Sequence, residues 1–99
     1  MRLSPEQIAA IKQTAHAVLG NEARVILFGS RVDDAKKGGD IDLLFETDRP
    51  ILNHAATLGA LYVALIRHLG DRKIDILLRD STTRPASVLD IARQTGIQL

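Results

Sequence analysis

Carboxylates stand inside two of the β-rich apolar runs of this chain: Asp40 and Asp42 in Asp40-Ile41-Asp42-Leu43-Leu44-Phe45, and Asp75 in Lys73-Ile74-Asp75-Ile76-Leu77-Leu78. An unpaired carboxylate in a core costs several kcal/mol or shifts its pKa to escape. Residues two apart on a strand point to one face, so Asp40 and Asp42 project together, about 6.5 to 7 Å apart at Cα, while Ile41 and Leu43 face the core. Such a pattern demands a sheet with one apolar face and acids on the other. If the strand bearing Asp75 lies beside the first, a carboxylate triad results, and a divalent metal is the obvious cation to sit between its members.

The remaining segments fall into place around these runs. Ser4-Pro5-Glu6-Gln7 is a helix start, with Ser4 as N-cap, Pro5 in the first turn and Gln7 completing a capping box. Ile8, Ile11, Ala15, Val18 and Leu19 keep helical spacing, and Gly20 ends the helix as a left-handed residue. Val25 to Phe28 is a short strand ended by Gly29, and Lys36-Lys37-Gly38-Gly39 forms a turn before the strand from Asp40 to Phe45. Asp48-Arg49-Pro50 opens a second helix that runs to Leu69 and stops at Gly70. After the strand Lys73 to Leu78, Pro85 starts a final helix with Val88, Leu89, Ile91 and Ala92, capped by Gly96. The expected order is α-β-β-α-β-α. The expected fold is α/β (α+β): a small three-stranded mixed sheet with helices packed mainly on one face, in a single domain over 1–99.

The second helix is apolar nearly all round. Ile51, Ala55, Leu58, Tyr62, Leu65 and Leu69 form one stripe, which Leu52, Leu61 and Ile66 widen. A helix on a small sheet needs only one stripe. The breadth means either burial between several elements or a partner surface. Tyr62 is expected to pack in the stripe rather than act as an acceptor.

Composition narrows the function. Thirteen basic and 12 acidic residues leave a formal charge of +1, which excludes a polyanion binder working through bulk charge. Aromatics are only 3% of the chain, too few for base-stacking platforms, so no direct nucleic-acid binding is expected. No cysteine is present, which rules out disulfides and thiolate metal sites. The apolar runs fall short of the roughly 20 residues of a membrane span, and the N-terminus has no signal-peptide core, so a cytoplasmic domain is expected. His16, His54 and His68 show no metal-binding spacing.

Gly29-Ser30 is separated from Asp40 by the nine residues Arg31 to Gly39. A glycine directly after a strand lets the backbone turn and approach a phosphate, and the residues after it can aim N–H groups at the anion, with the Ser30 hydroxyl as a further donor. Arg31 could reach a phosphate or an acid. Lys36 and Lys37 overlie this region, although loop lysines are usually no more than solvated turn residues. By itself Asp-x-Asp could be a charged sheet edge that discourages aggregation. The conjunction is more specific: strand, Gly-Ser, basic loop, strand with paired acids, helix, strand with an acid.

On Gly29, Ser30, Arg31, Asp40, Asp42 and Asp75 the chain resembles the DNA polymerase β-like nucleotidyltransferase superfamily, and within it the minimal nucleotidyltransferase (MNT) branch. The likeness in motifs runs from about Val25 to Leu78, and the helix order extends it. The segment Arg31 to Gly39 is one residue shorter than is common in that branch. The resemblance implies a nucleotidyltransferase fold, with Asp40, Asp42 and Asp75 as catalytic, metal-binding acids and Gly29, Ser30 and Arg31 binding the nucleotide. It implies two Mg²⁺ ions, or Mn²⁺, with ATP. One ion would orient the triphosphate and the other would activate an attacking hydroxyl, with Asp75 on the nucleophile side. MNT proteins are commonly paired with a helical HEPN toxin as toxin–antitoxin systems, some neutralising it by AMPylation of a tyrosine. The resemblance therefore implies an antitoxin in a hetero-oligomer with a HEPN-like partner, and a homo-oligomer is also compatible. The stretch after Leu78 is expected to be too short for an acceptor-binding domain, and the apolar helix 51–69 with the tail residues Ile97 and Leu99 are the expected docking surfaces. The rival is a non-catalytic module that inhibits its partner by occlusion. A small-molecule transferase ranks third.

Overall fold

The computed structural model describes residues 3–29, 41–70, 73–84 and 87–99. Within them lie α1 (Pro5–Leu19), β1 (Arg24–Phe28), β2 (Ile41–Glu46), α2 (His54–Leu69), β3 (Ile74–Arg79), α3 (Ser87–Thr95) and β4 (Ile97–Gln98). The α1 start follows the local signals: Ser4 Oγ accepts from the Gln7 amide at 3.1 Å, and the Ser4 amide donates to Gln7 Oε1 at 2.9 Å. Gly20 has positive φ (+101°) but ψ of 168°, so it turns the chain without adopting the left-handed helical conformation.

Strand order is β3-β2-β1-β4. β2 runs antiparallel to β1 and parallel to β3, with α2 as the crossover. Register between β2 and β3 is pinned at both ends, by Ile41 N–H to Lys73 O and Thr47 N–H to Arg79 O, each at 3.0 Å. The expected mixed α+β sheet is present, but with a fourth strand. β4 has only two residues, too few for alternation to reveal, and it pairs Ile97 with Leu27 on the outer edge of β1. Leu99 of the tail donates its amide to Val25 O at 2.9 Å and packs against the main core, whereas Ile97 stays exposed.

Alternation divides the sheet into two faces. Val25, Leu27, Ile41, Leu43, Phe45 and Ile74 pack with Ile11 and Ala15 of α1 and Leu61, Leu65 and Leu69 of α2. On the other face Ile26 and Leu44 are covered by Leu89 and Ala92 of α3. Helices therefore lie on both faces, two against one, and α3 shares its face with the acids. Gly96 makes the return from α3 to β4: a Cβ there would lie 2.5 Å from both Ala92 O and Ile26 Cγ2.

α2 begins later than expected. The Asp80 carboxylate takes the Ile51 amide at 2.6 Å, which holds residue 51 outside the helix, and Asn53 caps the first turn by accepting from the Ala56 amide at 3.0 Å. Only Leu61, Leu65 and Leu69 of α2 are fully buried, so the wide stripe is not absorbed by the fold, and Tyr62 is 45% exposed rather than packed. No described helix is long and apolar enough to cross a membrane.

Candidate functional site

β1, β2 and β3 bring Phe28, Asp42 and Asp75 into one row across the sheet, Phe28 opposite Asp42 and Asp42 opposite Asp75. Adjacent strands lie about 4.8 Å apart, so the two carboxylates are direct neighbours on the α3 face. Asp42 is half-buried and Asp75 exposed, which leaves the pair reachable from solvent. Gly29 abuts them. Its φ is +75°, and a Cβ built on it would overlap Asp42 Oδ2 and lie 3.1 Å from Asp42 Cγ. Glycine is required here twice over, for the backbone conformation and for the close approach to the carboxylate.

Of the residues expected to form the site, Gly29, Asp42 and Asp75 are thus brought together. Ser30, Arg31, Asp40 and the loop residues Lys36, Lys37, Gly38 and Gly39 lie outside the described residues, as does Pro85. Among the described residues no group of three or more His, Asp or Glu side chains forms a metal cluster. Two adjacent carboxylates are nonetheless a hard-oxygen donor set of the kind Mg²⁺ and Mn²⁺ take. Like charges directly across a strand pair cost stability, a cost that a cation between them removes.

Two further polar clusters are formed by residues that sequence patterning does not single out. At the far end of the acid-bearing face the buried Glu46 carboxylate is ringed by Arg24 Nε at 3.6 Å, Arg93 Nε at 3.7 Å and Arg79 Nη1 at 3.9 Å. Neither Arg24 Nε nor Arg79 Nη1 makes a hydrogen bond, so charge attraction holds this cluster. Arg24 also forks onto Asp48, at 3.0 and 3.4 Å, and the hydrogen bond holds Asp48 below the usual carboxylate range. The signal was available in part: Glu46 continues the alternation of Asp42 and Leu44.

Asp80, at the end of β3, is the second. Besides the Ile51 amide it accepts from the Thr82 amide at 2.9 Å, Thr82 Oγ1 at 2.7 Å and Thr83 Oγ1 at 3.0 Å, and it meets His54 Nε2 at 3.1 Å. The Ile51 amide, followed by the Thr82 hydroxyl, holds its carboxyl well below the usual range. An Asp followed at short range by two threonines is a turn signal that could have located it. Both clusters are structural. They tie loops and α3 to the sheet and leave the Asp42/Asp75 end as the candidate site.

No protein-family model matches the chain, and no curated protein matches it.

Proposed function

We propose that this chain is a cytoplasmic nucleotidyltransferase that moves AMP from ATP onto a hydroxyl, a tyrosine's in our reading, of a HEPN-type partner and thereby acts as its antitoxin. The observation that carries the proposal is the register of Asp42 and Asp75 on adjacent strands, with Gly29 held against Asp42 at positive φ. In this reading Asp42 and Asp75, with Asp40 by motif, hold Mg²⁺, and Gly29, Ser30 and Arg31 cradle the phosphates. A bound Mg²⁺ supplies charge neutralisation of the triphosphate and acidifies the attacking hydroxyl. The hydroxyl oxygen bonds to the α-phosphorus while the bond to the bridging oxygen breaks. Pyrophosphate leaves with that electron pair, and the hydroxyl proton passes to a site carboxylate or solvent.

The placement of the acids bears on how an acceptor arrives. They lie on the α3 face, whereas α2 covers the opposite one. A partner seated on α2 would have to reach around the sheet, so the acceptor hydroxyl approaches the acid-bearing end instead. The test is label transfer. Co-expressed with a HEPN-type toxin and given α-labelled ATP and Mg²⁺, the wild type should label that partner. Asp42→Asn should label none while still forming the complex. Suppression of toxicity without labelling by the wild type would replace catalysis with occlusion. Equal labelling by Asp42→Asn would remove the site from this position.

A further inference from the structure

The outer face of α2 carries no Asp, Glu, Lys or Arg before Arg67 in its last turn. Residues 50–66 contain no Asp, Glu, Lys or Arg, whereas α1 has Glu6 and Lys12 and α3 has Asp90 and Arg93. Opposite the buried Leu61, Leu65 and Leu69, the residues Ala56, Gly59, Ala60 and Val63 face solvent. Leu52, just before the helix, is fully exposed, and Val63 is 52% exposed. Gly59 adds an independent point. It lies mid-helix, where glycine costs about 1 kcal/mol relative to alanine. A Cβ there would meet nothing within 4 Å, so no contact among the described residues calls for a glycine. Close approach of a second backbone does.

Beside this ridge runs a groove along the α1–α2 seam. One part, about 470 Å³, is lined by Val18, Ile51, Ala56 and Ala60 among others, and the next, about 400 Å³, by Thr14, Ala17, Ala64 and His68. A ridge adjoining a groove on one surface is self-complementary under a two-fold axis, which is the requirement for an isologous dimer. The rim charges agree with an antiparallel crossing. Glu22 stands exposed at the end where α2 begins, paired to Arg49 at 3.7 Å, and Arg67 is exposed at the other end. An antiparallel crossing brings Arg67 of each protomer toward Glu22 of its partner.

From this we infer that the outer face of α2 binds a second copy of the chain, antiparallel about a two-fold axis near Gly59 and Ala60. The 16-residue helix is about 24 Å long, and with the groove it covers on the order of 500 Å² per protomer. That is less than the roughly 800 Å² per partner of a standard complex, in the size range of weak, reversible association. The acid pair lies on the far face of the sheet and stays open in both copies. The dimer thus does not depend on the proposed chemistry.

Sedimentation equilibrium of the full chain from about 1 to 500 μM tests the inference. The mass should rise from the 10.8 kDa of the protomer toward twice that value. Ala60→Lys and Ala60→Glu, each with unchanged circular dichroism, should weaken self-association at least tenfold, because like charges then meet at the axis. Mixing the two variants should restore pairing. Ile91→Lys, on the exposed side of α3, should leave it intact. A protomer mass throughout the range overturns the inference, and so does a dimer that survives both Ala60 variants or is lost in Ile91→Lys.

Discussion

Single atoms decide the candidate site. At Gly29 the positive φ and the Asp42 carboxylate leave no room for a methyl group. Gly29→Ala should therefore cost about 1–3 kcal/mol, through strain and overpacking, and should move Asp42 out of line with Asp75. Urea unfolding measures the first effect, and loss of Mg²⁺-dependent stabilisation reads the second. Asp80 shows how one carboxylate can serve as a knot, since its oxygens gather donors from the Ile51 amide, His54, Thr82 and Thr83. Its folded pKa is depressed, so its contribution is complete above the unfolded value of about 4 and is lost as pH falls below it. Asp80→Asn should lower the urea midpoint at pH 6 and flatten the decline between pH 4 and 2. An acid limb as steep as the wild type's would assign it to other groups.

Among the elements, α3 depends most on contacts distant in sequence. Among its described side chains only Leu89 and Ala92 anchor it in a core cluster, and its polar side is held by Arg93 to Glu46 and Asp90 to Arg79. Removing the buried carboxylate leaves three guanidinium groups facing one another. Glu46→Ala should cost about 2 kcal/mol, discounted from the usual cost of breaking a buried pair because the arginines are partly exposed. Arg93→Ala should cost under about 1 kcal/mol. Hydrogen exchange in α3 should accelerate in Glu46→Ala before that of β2. At the other end of α3, Gly96→Ala drives a Cβ into Ala92 O and Leu27 O, 2.5 and 2.7 Å away, both backbone atoms that cannot swing aside. A loss of about 1–3 kcal/mol and detachment of β4 are expected, visible as faster exchange at Leu99.

For the whole molecule, the proposed cation between Asp42 and Asp75 would bind the native state alone and so stabilise it. At tenfold excess over Kd, Mg²⁺ with ATP should add about 1.4 kcal/mol, a rise in Tm of roughly 7 °C, absent in Asp42→Asn. No rise in the wild type, alone and in complex, would leave the acid pair without a ligand. Local chemistry was enough to place most elements. The capping box of Ser4 and Gln7, the alternation that sends Ile41 and Leu43 inward and Asp42 outward, and the glycine after β1 depend on neighbours within a few residues, which sequence order already supplies. The α2 start was misplaced because its boundary is set by Asp80, 29 residues beyond Ile51. The same holds for β4, a pairing too short to leave a pattern, and for α3, whose face is chosen by Ile26, Leu44 and the Glu46 cluster together. That Asp42 faces away from the side of Ile41 and Leu43 was legible from alternation alone. That Asp42 and Asp75 stand directly opposite was not, because register joins residues far apart along the chain and is settled only when both sheet faces pack at once.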